Sequence, residues 1–392
     1  MIPRLRPWVS YRDVLACADG GQADASSRFE TEFCRYVGIK HAVATNMGRG
    51  ALEVALQALG VAPGKEVLLP ALTCDAVVES VLSIGAVPVP VDVSPSTLNI
   101  DVDSLTAAVG PDTQAAVAVH TYGMPCEIGP IRDMCERRGI GLIEDCAQAA
   151  GARYDGRSVG SFGDIGIFSF AFDKVLSLGS GGLAVTDNTE YADAMRARID
   201  QAPVSYERER NHLLRFLRLH LLFNPWVYGF GRHLRARIEG LEWPPDERSL
   251  PLGALRRTLG SRMLGLIDSI AMKHRKNAKA LGAQLSESGL EVPALTQGSE
   301  GAFLRLTVLA NPGRRDALSR HMLRHGFEVI PAAYPRAVHE NPRLRGALRF
   351  RVDLGSSEMA CRRLLNFPTH PYLGVTAVER MAGLVRDFVR RT

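Results

Sequence analysis

"FSFAFDKVLSLGSGG", residues 168–182, sets the question. A mostly apolar run carries one lysine, Lys174, and closes on Gly179, Gly181 and Gly182. Lysine ordinarily keeps its ammonium group in water. One drawn inward is a lysine whose amine is wanted. Desolvation lowers its proton affinity and makes it a nucleophile that can form an imine with an aldehyde. The plainer reading is a surface lysine paired with its neighbour Asp173. The glycines let backbone approach closely or turn at positive φ.

Outward from this stretch, residues 42–185 alternate. "HAVAT" (41–45), "EVLLP" (66–70), "VPVPVDV" (87–93), "AAVAVH" (115–120), "GLIED" (141–145) and "IGIFSF" (165–170) read as short strands. "GALEVALQALG" (50–60), with Leu52, Leu56 and Leu59 on one face, and "IGPIRDMCERRG" (128–139) read as helices. That rhythm predicts an α/β fold with a mostly parallel sheet flanked by helices. Ligands of such sheets bind beyond the carboxyl ends of the strands. Further on, a long helix over 254–288, strands over 303–310 and 327–331 and a helix over 317–326 predict a smaller α+β section.

Three features fall at the strand ends. "NMGRGAL" (46–52) joins a strand to a helix by a small, glycine-containing turn. Free N–H groups and the positive end of the helix dipole there suit a phosphate, although such turns also serve only as connections. "IEDCAQAAGA" (143–152) ends a strand on two acids. Asp145 is the candidate for a fixed buried carboxylate, which needs a cationic or strong donor partner; helix capping is its plainer role. Lys174 lies 29 residues beyond Asp145 (174 − 145). A phosphate seat, a carboxylate for a ring nitrogen and an imine-forming lysine are together what pyridoxal 5′-phosphate requires.

The chain has 392 residues, 46% hydrophobic and 23% charged, with net charge +5. That is ordinary globular composition, and the mild basicity demands no nucleic acid. Seven cysteines without CxxC or zinc-ligand spacing read as reduced thiols, so neither a disulfide frame nor a metal site is expected. "MIPRLRPWVSYRD" lacks the apolar stretch of a signal peptide, and no run reaches membrane-span length, which points to the cytoplasm. Residues 203–249 break the rhythm. Leu213, Leu214, Leu217, Leu221 and Leu222 recur at helical spacing among Arg215, Arg218 and His220, and Pro244 and Pro245 close the segment. A helix packed on the body or on a second copy is one reading. Peripheral contact with a membrane surface or a lipid-linked substrate is the other.

The stretches "PGKEVLLPALT", "SIGAVPVPVDVSPSTLNID", "VHTYGMP", "IEDCAQAAGARYDGRSVGSFGDIGIFSF", "DKVLSLGSGGLAVTD" and "LLNFPTHPYLGVTAVERM" resemble the nucleotide-sugar aminotransferases of the DegT/StrS type. The resemblance implies a fold-type I pyridoxal-phosphate-dependent transferase. A large cofactor-binding domain would span 1–250, carrying the insertion at about 203–249, and a small α+β domain 251–392. It implies that Lys174 forms the imine with the cofactor and shuttles a proton. Asp145 would pair with the pyridine nitrogen, Gln148 would lie near the ring oxygen, and Ser169, Gly48 and Arg49 would meet the phosphate. It also implies a homodimer with shared sites, and transfer of an amine from glutamate or glutamine to a keto sugar or a related cyclitol ketone.

Three departures stand out. The phosphate turn, usually Ser-Gly-Thr, is Met47-Gly48-Arg49, so the arginine either takes over as a phosphate ligand or points to solvent. Cys74 stands where an aromatic ring usually covers the cofactor. The partner-subunit loop is not legible in residues 249–263. A dehydratase branch replaces the lysine by histidine, so Lys174 argues against it. A non-catalytic regulator or scaffold keeping the fold is the remaining alternative. His120 and Tyr122 are expected at the pocket floor.

Overall fold

The computed structural model describes residues 1–18, 25–199, 204–228, 250–331 and 334–391. Seven strands form the main sheet: β1 (His41–Thr45), β2 (Glu66–Pro70), β3 (Val87–Val91), β4 (Thr113–Val119), β5 (Gly141–Asp145), β8 (Ile165–Ser169) and β9 (Gly182–Thr186). Between β5 and β8 lie two-residue strands β6 (Arg153–Tyr154) and β7 (Arg157–Ser158), which pair with each other, and β6 also pairs with β10 (Ser299–Glu300). The main-sheet order is β1-β9-β8-β5-β4-β2-β3, and only β9 runs antiparallel to its neighbours.

Alternation along the strands divides the core. Val67, Leu69, Val117, Ile143, Ile165, Ile167 and Ala184 face one helical layer, which includes Gly48–Ala58 and Asp75–Ser83. Leu68, Ala116, Ala118 and Leu142 face the opposite layer, with Ile128, Ile131 and Met134. Both faces are covered, so the strands read as continuous apolar runs.

A second sheet, ordered β11 (Leu306–Leu309), β13 (Leu364–Phe367), β12 (Ile330–Pro331), has its own core of Leu281, Leu285, Val308, Met322, Phe367 and Met381. The strands expected over 303–310 and 327–331 are shorter. The helix expected from 317 begins at Pro312, where the Asn311 side chain accepts the Gly313 N–H.

The long helix expected over 254–288 is two helices, Ala254–Leu264 and Ile267–Glu287, parted at Gly265 and Leu266. Leu255, Leu259 and Met263 pack into the main body, whereas Leu281 and Leu285 serve the second core. One straight stripe cannot face both. In the basic segment, helices Tyr206–Leu222 and Pro225–Tyr228 are described; the part from 229 to 249, with Pro244 and Pro245, lies outside the described residues. The first helix packs on the body through Glu209, Leu213, Phe216 and His220, and leaves Leu214 and Leu221 exposed. Among the described residues no helix is long and apolar enough to cross a membrane.

Candidate active site

Strands β1, β4, β5 and β8 run in one direction, so Thr45, Val119, Asp145 and Ser169 end at one edge of the sheet. Asp145 and Ser169 share the face of Ile143 and Ile167, being one pleat period beyond them. Above this edge lies a cavity of about 500 Å³. Gly48, Arg49, Cys74, Asp145, Gln148, Ser169 and Lys174, the seven residues expected at the cofactor, line it. The wall also takes Arg4, Thr73, Asp173, Ser180, Arg305 and Tyr334.

Lys174 sits in the loop between β8 and β9 with 16% of its side chain exposed. Its Nζ lies 3.7 Å from Asp173 Oδ1. The pair expected of an ordinary surface lysine thus exists, but it faces the cavity. Asp173 Oδ2 accepts from Arg305 Nη2 at 3.1 Å. Burial works to raise the Asp173 pKa; the Lys174 and Arg305 charges outweigh it and hold the carboxyl below its ordinary value.

Asp145 is 6% exposed, and its Oδ1 accepts the Ala147 N–H at 2.9 Å. This is a local turn contact, not a helix cap. Burial raises its pKa above the usual carboxylate range, against the Ala147 N–H and the Lys174 and His120 charges. A carboxylate so placed is stabilised by a further cationic donor. Gln148 donates through Nε2 to the Tyr334 hydroxyl.

Helix Gly48–Ala58 starts at Met47, whose side chain makes no cap hydrogen bond, so the helix N-terminus has no capping acceptor there. A Cβ on Gly48 would stand 2.9 Å from Ser169 Cβ, so the turn lies directly against the strand end. Arg49 takes neither expected course outright: its Nη1 pairs with Glu79 at 2.6 Å, beside the cavity. Cys74 begins helix Asp75–Ser83, where burial raises its thiol pKa.

His120 and Tyr122 are not the floor; both are fully buried behind the cavity wall. Tyr122 stacks on Tyr334 at 5.4 Å between centroids. His120 Nδ1 accepts the Cys126 N–H, and Nε2 lies 3.1 Å from Glu144 Oε2. Glu144 also accepts from Gly160, Phe162 and Gly163 N–H groups. Among the described residues, His120, Glu144 and Cys146 could converge on a metal ion. Glu144's oxygens are already engaged, so the cluster reads as structural.

Sequence reading passed over Arg305, which ends an apolar "FLR", and Arg256. A charge inside an apolar run, the cue at Lys174, was also available at Arg305. Arg256 is fully buried. It donates from Nε to Glu209 Oε1 at 2.9 Å and from Nη2 to Asn46 Oδ1 at 2.5 Å. The Asn46 carbonyl also accepts from Ser180 Oγ at 2.7 Å.

A mostly parallel sheet with a lysine, a buried carboxylate and a helix-start turn at its carboxyl edge defines a fold-type I pyridoxal-phosphate-dependent transferase. The chain belongs to the DegT/DnrJ/EryC1/StrS aminotransferase family, which matches residues 11–214. It is 35% identical to the GDP-perosamine synthase of Vibrio cholerae, over 95% of this chain and 94% of that one. It is 32% identical to the L-glutamine:2-deoxy-scyllo-inosose aminotransferase of Streptomyces kanamyceticus, over 86% of this chain and 74% of that one. DesV of S. venezuelae, solved in complex with a ketimine intermediate, superposes with a TM-score of 0.78 at 27% identity, covering all of both chains. The family's aminotransferases depend on pyridoxal 5′-phosphate.

The cavity fits that cofactor on two observations. Asp145 is a buried carboxylate suited to a ring N–H, and Gly48 leaves beside Ser169 a cradle that a Cβ would fill.

Proposed function

We propose that this protein moves an amino group from glutamate or glutamine to the ketone of a nucleotide-linked sugar, in making a polysaccharide, glycolipid or natural product. It would work as a cytoplasmic homodimer, with a cofactor-binding domain over 1–250 and a small domain over 251–392. The convergence of all seven candidate residues on one cavity, Lys174 and Asp145 among them, carries the reading.

Pyridoxal phosphate, when bound, supplies the electron sink. Lys174 Nζ ties the cofactor down, then takes a proton from the donor's Cα and later returns one to the acceptor's former keto carbon. Asp145 holds the proton on the ring nitrogen. Ser169 and the N–H groups of Gly48 and Arg49 seat the phosphate, with Glu79 orienting the Arg49 side chain. Gln148, fixed by Tyr334, would meet the ring oxygen, and Cys74 would take the place of the ring-covering aromatic. The side chains around the cavity exclude water. Arg4 at its wall and the basic segment 203–249 suit a diphosphate, because guanidinium forks match phosphate oxygens.

A cyclitol ketone is the second acceptor class, favoured by the likeness to an inosose aminotransferase. The test is amine transfer from glutamate and glutamine across nucleotide keto sugars and cyclitol ketones. No transfer to any of them, by protein that binds the cofactor, would refute the enzyme reading in favour of a scaffold. Exposed Leu214, Leu221 and Trp226 support a membrane or lipid-linked contact. Equal liposome flotation of the intact chain and one lacking 203–249 would end that idea.

A further inference from the structure

Arg305 immediately precedes β11 in "FLRLTVLA" and reaches the cavity with only 8% of its surface exposed. Its Nη2 is engaged by Asp173, but its Nε is buried without a hydrogen-bond partner. A buried donor left unmade is costly, and the cost falls away when a ligand accepts from it. Asp173 is shared: one oxygen meets Arg305, and the other lies 3.7 Å from Lys174 Nζ. Arg4 lines the same space. Asp173 therefore stands among three cations, and Asp145 is a second carboxylate within electrostatic reach of Lys174. An anion entering this corner is attracted, and it arrives beside the amine that does the chemistry.

We propose that Arg305 binds the α-carboxylate of the amino donor, so that the donor's amine is delivered at Lys174. This rests on the transaminase reading of the cavity. An α-amino acid carries its carboxylate on the very carbon that bears the amine, so the two groups must be received side by side. Arg305 and Lys174, bridged by a single carboxylate, are side by side. The diphosphate of a nucleotide sugar is separated from its ketone by several ring bonds, and so fits a more distant cation. The planar guanidinium fork matches a carboxylate, and the idle Nε is the donor that such a ligand would complete.

The test uses full-length protein loaded with pyridoxal phosphate: wild type, Arg305→Met and Arg305→Lys. Calorimetric titration with glutarate, a dicarboxylate without an amine, reads carboxylate binding alone. Titration with glutamate reads the donor half-reaction from the cofactor spectrum. Titration with GDP and dTDP reads the nucleotide end. Arg305→Met is expected to weaken glutarate binding and raise the half-saturating glutamate concentration about 10-fold or more, as for loss of a charged hydrogen bond. Arg305→Lys keeps the charge without the fork and falls between. Cofactor and nucleotide affinities stay within about threefold of wild type by the same arithmetic. Should Arg305→Met not fold, Arg305→Lys decides, because loss of the fork alone must still weaken glutarate. Unchanged donor and glutarate binding would overturn the proposal, as would a loss confined to the nucleotides. Wild type that takes up no pyridoxal phosphate would instead refute the reading of the cavity itself.

Discussion

Glu209→Ala is the most revealing perturbation outside the cavity. Glu209 and Arg256 are 2% and 1% exposed and hydrogen-bonded to each other. The Glu209 carboxylate also accepts the Arg256 backbone N–H at the start of helix Ala254–Leu264. The fit is close enough that a Cβ on Gly253 would lie 1.9 Å from Glu209 Cδ. Removing the carboxylate strands a buried guanidinium, which costs about 3–5 kcal/mol. Replacing both partners by apolar groups, Glu209→Leu with Arg256→Met, leaves no buried charge and is expected to recover most of that loss. Urea unfolding followed by circular dichroism, at one protein concentration and without cofactor, measures both changes.

The second measurement concerns the turn. Arg256 Nη2 holds Asn46 Oδ1, and Asn46 leads into Met47-Gly48-Arg49. In the apolar double variant Asn46 loses this anchor, while Lys174 and Asp145 are untouched. Affinity for pyridoxal phosphate is then expected to fall about 10-fold, the scale of one charge-assisted hydrogen bond. Affinity for pyridoxal, which lacks the phosphate, should stay within about twofold. Equal losses for the two ligands would mean general loosening and would refute the coupling. A Glu209→Ala variant as stable as wild type would refute the buried-pair reasoning at its root.

Acid should weaken the fold through two histidines. Burial lowers the His274 pKa from 6.5 to about 3 and the His370 pKa to about 4. The folded chain therefore binds fewer protons than the unfolded chain between those values and 6.5. The stabilisation is full above 6.5 and declines as pH falls, by roughly 2 kcal/mol per histidine at pH 5. His274→Gln, which does not titrate, should flatten the pH dependence of the unfolding midpoint; an unaltered slope would exclude His274 as its source. Gly182→Ala would set a Cβ 2.5 Å from the Met47 carbonyl oxygen and 2.6 Å from Thr45 Oγ1. About 1–3 kcal/mol of stability and much of the phosphate-dependent affinity should be lost together, read by thermal unfolding and cofactor titration. Lys174→Ala should bind the cofactor without a borohydride-reducible link; a residual adduct in intact-mass spectra would assign the imine to another lysine.

The site was legible because its chemistry lies at strand ends, where an apolar run stops on a functional side chain. Period-two alternation would also have separated the acids of "IED". Asp145 shares the cavity-side face of Ile143, whereas Glu144 turns to the other face, toward His120 and the Gly160–Gly163 loop. Arg305 carried the same cue as Lys174, a charge in an apolar run, but its partner Asp173 lies 132 residues away; Arg256 carried no such cue, and its meaning depends on Glu209, 47 residues away. The basic helix packs on the body, as one of its two readings had it, but its buried face is Glu209, Leu213, Phe216 and His220 rather than the leucines alone, and it contains a charge whose partner lies on another helix. The division of the long helix was hidden because both halves keep helical periodicity while serving different cores.

These facts give the basic segment a place in the chemistry. A phosphate turn with serine and threonine side chains can brace itself and its ligand. Here Met47 offers no cap and Arg49 is held by Glu79, so on the proposed reading backbone N–H groups and Ser169 would receive the phosphate. Backbone donors work only if the turn is held still, since their aim follows the peptide planes. The restraints come from outside the turn: Leu250 accepts the Asn46 N–H, Ser180 donates to the Asn46 carbonyl, and Arg256 holds its side chain. Arg256 in turn needs Glu209 for its charge, and Glu209 stands on the basic helix. Support from behind thus stands in for the hydroxyls that this turn does not carry, and deleting residues 203–249 would strip Arg256 of its counter-ion as well as removing the basic side chains of that segment.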